Sequence, residues 1–306
     1  MQMIITEEQN GLCVRDFIRR ELGISTKMLK YLKYRNEGIL VNGERCTVRY
    51  VLKTGDVLTL ETEDRSSSDS LEPVDLPLEI LYEDDDLVVP AKPANMPTHP
   101  SHGHHGDTVA NALAYRYQSA GVPFVFRPIN RLDRNTSGLL LIARNKIAAG
   151  KLTQQMQAGE IRKTYLAVLD GEMDNDHGMI DACLHRTRES IIVREVCSPD
   201  TPDADPAQTE FYVLARENGH TLVQAHPITG RTHQLRVHFA HLGHPITGDD
   251  LYGTPDDTIC RHALHAWQLE FSHPASGERL SFSATPPKDL QMLINTYFPT
   301  FSKTFL

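Results

Sequence analysis

The run Pro128-Ile-Asn-Arg-Leu-Asp-Arg-Asn-Thr-Ser-Gly138, followed without a break by Leu139-Leu-Leu-Ile-Ala143, limits the fold more than any other stretch. An unbroken apolar run predicts a strand covered on both faces. The Asp, Asn, Ser and Gly ahead of it predict a turn, because their side chains bond nearby backbone or permit unusual dihedrals. The chain must therefore build a sheet with packing on each side and hold a polar turn at its mouth. Asp133 sits on that turn between Arg131 and Arg134. A carboxylate set among cations at the edge of a rigid core is a nucleophile candidate, although the same letters also describe a surface Asp in an ion pair.

Charge is distributed unevenly around this motif. The net charge is -9, which argues at first against a polyanionic partner. Residues 1–60 nevertheless hold ten Lys and Arg against seven Asp and Glu, whereas residues 61–90 hold one against eleven. Most of the acidity is thus one segment, and local patches can be basic. Residues 15–35 carry seven cations and two anions, with Arg19, Arg20, Lys27, Lys30, Lys33 and Arg35 on the faces of two predicted helices. Val14, Phe17, Ile18 and Leu22 give the first helix its apolar side, and Gly23 stops it. Ser25 or Thr26 caps the second, where Met28, Leu29 and Leu32 point inward. Strands at 39–41 and 57–60 and an Asn42-Gly43 hairpin turn follow. The predicted division is a small domain at 1–62, an acidic flexible linker at 63–77 and a larger domain at 78–306.

In the larger domain the pattern is mixed. Strands are expected at 79–81 and 87–89, a helix from Thr108 to Tyr117, and a helix capped by Asn145 that carries Leu152 and Met156. Tyr165, Ala167 and Leu169 fall on one face of a strand, and further strands are expected at 209–213 and 222–225. Gly230 is expected to open a short helix with Leu235, Phe239 and Leu242 inward, followed by a strand from His262 and a closing helix at 289–298. Strands grouped with intervening helices predict an α+β fold with a mixed or antiparallel sheet.

Five scattered cysteines with no Cys-x-x-Cys pair suit reduced thiols rather than a disulfide frame or a zinc site. Acidic Glu7-Glu8 close behind Met1 predicts no secretory signal, and no run approaches the roughly 20 apolar residues of a membrane helix. A cytoplasmic protein without a membrane partner is expected.

Arg-Leu-Asp-Arg-x-Thr-Ser-Gly-Leu-Leu-Leu resembles the active-site motif of the RluA-type RNA pseudouridine synthases. Tyr82-Glu-Asp-Asp-Asp-Leu-Val-Val, Lys92-Pro-Ala, His99-Pro-Ser, Lys163-Thr-Tyr165-Leu-Ala, Gly230-Arg-Thr-His-Gln-Leu-Arg236-Val-His, Gly243-His-Pro-Ile and Leu264-His-Ala266 resemble its other blocks in the family's order. Asn130 stands where many members carry His, and Pro90-Ala91 precedes Lys92 where Asn is more usual. The two small helices and hairpin resemble a ribosomal-protein-S-four-like RNA-binding domain.

The resemblance implies isomerisation of uridine to pseudouridine in structured RNA, ribosomal first and transfer RNA second. It implies Asp133 as nucleophile, Arg236 as its ion-pair partner and Tyr165 as the aromatic packed on the target base. Arg131 and Arg231 would contact the RNA, with Arg131 filling the gap left by a flipped base. No cofactor and no metal are implied, and a monomer is expected. The alternative is a non-catalytic structured-RNA-binding protein. A third reading starts from His99, His102, His104, His105 and Asp107, whose ligand density suits a metal but whose Gly and Pro deny it fixed spacing.

Overall fold

A computed structural model describes the chain except residues 25, 62–66, 68–70, 102, 188, 189, 191 and 302–306, and except the side chain of Lys27. The expected cap at Ser25, the cation at Lys27 and the imidazole of His102 therefore lie outside the described structure. The first unit consists of β1 (Gln2–Ile4), α1 (Val14–Asp16), α2 (Thr26–Lys33), β2 (Ile39–Val41), β3 (Glu44–Arg45) and β4 (Val57–Leu60). Its sheet runs β1-β4-β2-β3. Phe17–Glu21 continues α1 with π-helical bonding, closed by Leu22 N–H on the Phe17 carbonyl at 3.3 Å. Asn42 (φ 52°) and Gly43 (φ 81°) form the hairpin turn in the left-handed conformation that an Asn-Gly pair favours. Val14, Phe17, Ile18, Leu29 and Leu32 pack with Leu52, Leu58 and Leu60 into one core, and Ile147 from the larger unit belongs to the same core.

The larger unit contains β5 (Glu79–Glu83), β6 (Leu87–Lys92), α3 (Val109–Ser119), β7 (Ser137–Leu139), β8 (Ile142–Ala143), α4 (Lys146–Gln157), β9 (Arg162–Asp170) and β10 (His177–Asp181). It continues with β11 (Cys183–Arg186), β12 (Arg194–Cys197), β13 (Gln208–Glu217), β14 (His220–Pro227), α5 (Gln234–His241), β15 (Leu264–Ser272), β16 (Arg279–Ser283) and α6 (Lys288–Tyr297). A ten-stranded sheet follows the order β10-β13-β14-β9-β15-β7-β6-β5, with β16 added on β15 and β8 on β6. Neighbours are antiparallel except β15 and β7, which run parallel. This is a mixed-sheet α+β fold. β11 and β12 form a separate ribbon.

Alternating strand residues feed two cores. Val88, Leu140 and Ile142 join Leu113 of α3, Phe239 of α5 and Leu293 of α6 on one face. Leu87, Val89, Leu139 and Leu141 join Leu152 of α4 and Phe271 on the other. Each fully buried Leu contributes about 1.5–3 kcal/mol through removal from water. The turn that leads into Leu139 is thus fixed to the most constrained part of the sheet.

Several expectations give way here. Leu139–Ala143 is not one strand: pairing breaks between β7 and β8, and the Asn130 side chain spans the break, donating to the Leu139 carbonyl at 3.3 Å and accepting from Leu141 N–H at 2.7 Å. Tyr165–Leu169 is buried on both faces, because β9 lies in the middle of the sheet. The segment at 230–233 is a turn, and α5 begins at Gln234. The Gln234 side chain accepts from Arg231 N–H at 3.0 Å and so closes that turn before the helix can start. Leu242 is 40% exposed rather than inward, since the helix has ended at His241. The linker is not a free tether throughout: Asn111 donates to the Glu72 carbonyl at 2.6 Å, and its own carbonyl accepts from Val74 N–H at 3.2 Å.

Candidate active site

Asp133 is presented by a short closed turn, Thr136 N–H to Asp133 carbonyl at 3.1 Å. Two groups clamp it from behind. Thr98 Oγ1 donates to the Leu132 carbonyl at 3.0 Å and accepts from Leu132 N–H at 3.2 Å. Lys92, only 1% exposed, donates from Nζ to the carbonyls of Pro93, Met96 and Arg134 at 2.9, 2.7 and 2.9 Å. Burial pushes its pKa down to about 7, against the pull of the Asp133 charge. Sequence reading gave Lys92 no role in the site. Its neighbour Pro93 and the chain spacing carry no sign that a buried ammonium will collect three carbonyls.

A cleft of about 700 Å³ opens over this turn, within the size range of small-molecule sites. Arg131, Asp133, Tyr165, Arg231 and Arg236 all line it, together with His99, Lys163 and His233. The residues singled out from the larger unit's sequence therefore converge, although they come from a loop, a central strand and the region around α5.

Arg236 stands on α5 almost fully buried, and its bonding differs from a simple pair with Asp133. Nε and Nη2 make a two-point fork to Asp249 at 2.7 and 2.6 Å, while Nη1 lies 3.7 Å from Asp133 Oδ2. Burial works against the guanidinium charge, but the Asp249 hydrogen bonds and the two carboxylates raise its pKa overall. Asp249 is depressed in turn: burial alone would raise it, and Arg236 outweighs that. Asp133 is 28% exposed and faces the cleft.

Tyr165 is buried beside this pair. Burial first and the Asp133 charge second push its phenol pKa up, which favours a neutral hydroxyl over a phenolate. Such a ring suits packing on a base, with its O–H as donor or relay. Lys163, on the same strand, is buried, and its ammonium has no hydrogen-bond or ion-pair partner among the described residues. Burial lowers its pKa.

The cations divide into engaged and free groups. Arg131 is exposed at the cleft rim and has no side-chain partner among the described residues. Arg231 contacts the Pro206 carbonyl at 3.1 Å and Asp205 at 3.3 Å. Arg19, Arg20, Lys30 and Lys33 are exposed on the first unit. Arg35 differs from expectation: it forks onto Glu61 at 2.6 and 3.0 Å and donates to the Tyr31 hydroxyl at 2.6 Å, so its guanidinium is held within the unit.

Two described imidazoles of the histidine-rich loop are engaged separately. His104 pairs with Asp107 at 2.6 Å, and His99 joins the cleft, where burial and Arg131 lower its pKa. Asp84, Asp86 and His273 form the described group with metal-like spacing. Asp84 in it already takes bonds from Tyr82 and from the Asp86 and Leu87 N–H groups and lies 2.8 Å from His273 Nε2.

Residues 86–241 match the family model described as RNA pseudouridylate synthase. The protein named uncharacterized RNA pseudouridine synthase YjbO of Bacillus subtilis (strain 168) is 40% identical over 274 residues, 90% of this chain and 95% of that protein. The ribosomal large subunit pseudouridine synthase D of Xanthomonas campestris is 37% identical over 84% of this chain and 80% of its own length. Among solved structures, human RNA pseudouridylate synthase domain containing 1 superposes with a TM-score of 0.58 at 30% identity, covering 71% of this chain and 87% of that one.

Proposed function

This chain belongs to the RluA-type family of RNA pseudouridine synthases, and from that premise we propose that it isomerises uridine in ribosomal RNA with Asp133 as the nucleophile. The supporting observation is the convergence of Asp133, Arg236 and Tyr165 in one cleft lined by cations. Uridine isomerisation breaks the bond from N1 to the ribose, turns the uracil, joins C5 to the same ribose carbon and releases the C5 proton. The work required is covalent capture, confinement and one proton transfer. A uridine inside a stacked helix cannot reach Asp133, so the nucleotide is extruded into the cleft. Arg131 at the rim fills the vacated place, Tyr165 packs on the base, and its hydroxyl assists the proton transfer. Five relatives bear names that specify the ribosomal large subunit, which favours ribosomal over transfer RNA.

The first unit acts as the RNA-docking module. Its exposed Arg19, Arg20, Lys30 and Lys33 are suited to phosphates, and the protein works as a cytoplasmic monomer. No described helix is long and apolar enough to cross a membrane. The test is tritium release from ribosomal RNA labelled at uracil C5. Folded protein should release label from discrete positions, and absence of release from ribosomal RNA would overturn the substrate assignment.

A further inference from the structure

Asp249 lies thirteen residues beyond Arg236 in the chain and is fully buried against it. Its Oδ1 accepts from Arg236 Nη2 at 2.6 Å and from the N–H groups of Leu251 and Tyr252 at 3.0 and 3.2 Å, while Oδ2 accepts from Arg236 Nε at 2.7 Å. Tyr252 then places its ring 5.1 Å from the guanidinium carbon. Its hydroxyl accepts from Arg194 N–H at 2.9 Å and lies 2.8 Å from His233 Nδ1, just ahead of α5. The guanidinium is thus held along one edge and over one face. Only Nη1 is left for Asp133, at 3.7 Å.

We infer that Asp249 is a positioning residue that holds Arg236 back from Asp133 and keeps the nucleophile's oxygens open to the nucleoside. A guanidinium prefers a two-point fork with a carboxylate. Without Asp249, Arg236 would make that fork with Asp133, covering the oxygens that must reach the ribose. Asp249 also balances the Arg236 charge, so the pair beside Asp133 is neutral as a whole. Asp250, 3.5 Å from Nη2 but 70% exposed, is too solvated to replace Asp249. This role rests on the reading of Asp133 as nucleophile.

A double-mutant cycle tests it, using Asp249→Asn, Arg236→Gln and the pair together. Single-turnover tritium release at saturating RNA, RNA affinity and thermal unfolding are measured for each. Asp249→Asn should slow release about 100-fold with affinity within about threefold, since the change leaves the RNA-facing cations in place. In the Arg236→Gln background, Asp249→Asn should slow release by less than about threefold, because Asp249 acts through Arg236. That comparison stands even where the single Asp249→Asn protein fails to fold around an orphaned cation, since both proteins in it lack the buried cation, and in Arg236→Gln alone the Asp249 carboxylate keeps its bonds from the Leu251 and Tyr252 N–H groups. A further loss of about tenfold or more in the Arg236→Gln background would overturn the inference, as would a folded single Asp249→Asn protein within about threefold of the parent. Failure of the parent protein to release tritium would instead refute the proposed function.

Discussion

Gly138 lies so close to Ala266 that a β-carbon on it would stand 2.1 Å from the Ala266 carbonyl oxygen. The contact arises where β7 runs parallel to β15, with Gly138 opposite Ala266, and Gly138 also has φ +111°. Replacement by Ala meets both a steric clash and a backbone conformation that L-residues avoid. Gly138→Ala should destabilise the protein by about 3 kcal/mol or more. Urea unfolding measures this, and a loss below about 1 kcal/mol would contradict the geometry.

Asp133→Asn removes a charge on a partly exposed turn without opening a cavity. Turnover should fall by at least about a thousandfold, while unfolding and RNA affinity change little. Tritium release is the measure, and activity within about tenfold of the parent would remove Asp133 from the chemistry.

Lys163→Met should act on binding. An ammonium that lines the cleft, 9% exposed and without a protein partner among the described residues, is placed to take a phosphate of the target strand. Affinity should fall about tenfold, and the slope of log affinity against log salt should become shallower by about one. The single-turnover rate at saturating RNA should hold. An unchanged salt slope would show that Lys163 meets no phosphate.

The sequence displays Asp133, Tyr165 and Arg236 because their motifs are contiguous and chemically conspicuous. It hides Asp249, whose role exists only once folding brings residue 249 onto Arg236, and Lys92, whose partners are carbonyls without sequence identity. Periodicity finds the central strands and α3, α4 and α6. It misses β10 to β12, where His177–Asp181 buries only Ile180 and the separate ribbon has little apolar alternation. It also extends the α5 face to Leu242, one residue past the last helical one. The break between β7 and β8 depends on Asn130, a side chain nine residues before the strand it divides.

Acid stability follows from the buried histidines. His265 sits between the Ser137 hydroxyl at 2.9 Å and the Ala284 carbonyl at 3.0 Å, and burial lowers its pKa to about 4. The folded value lies below the unfolded 6.5, so the unfolded chain binds the extra proton first. His265 therefore contributes stability that is present above pH 6.5 and lost as pH falls toward about 4. The full loss is about 3 kcal/mol. The urea midpoint should drop across this window, and His265→Asn should flatten the drop. An equally steep profile in the variant would assign the loss to other groups.

Ile147 opens the first turn of α4 and packs in the core of the first unit, while Met156 and Gln157 close the same helix and line the cleft. Gln154 adds a bond of 2.7 Å to the Gly23 carbonyl. The two units therefore share a structural member roughly 18 Å long. For recombination between relatives, the natural seam is not the acidic stretch that separates the units along the chain. A chimaera cut there would import a foreign first unit against a native Ile147 and Gln154. To be interchangeable, that unit must travel with the outer face of α4, so the portable cassette is discontinuous in sequence.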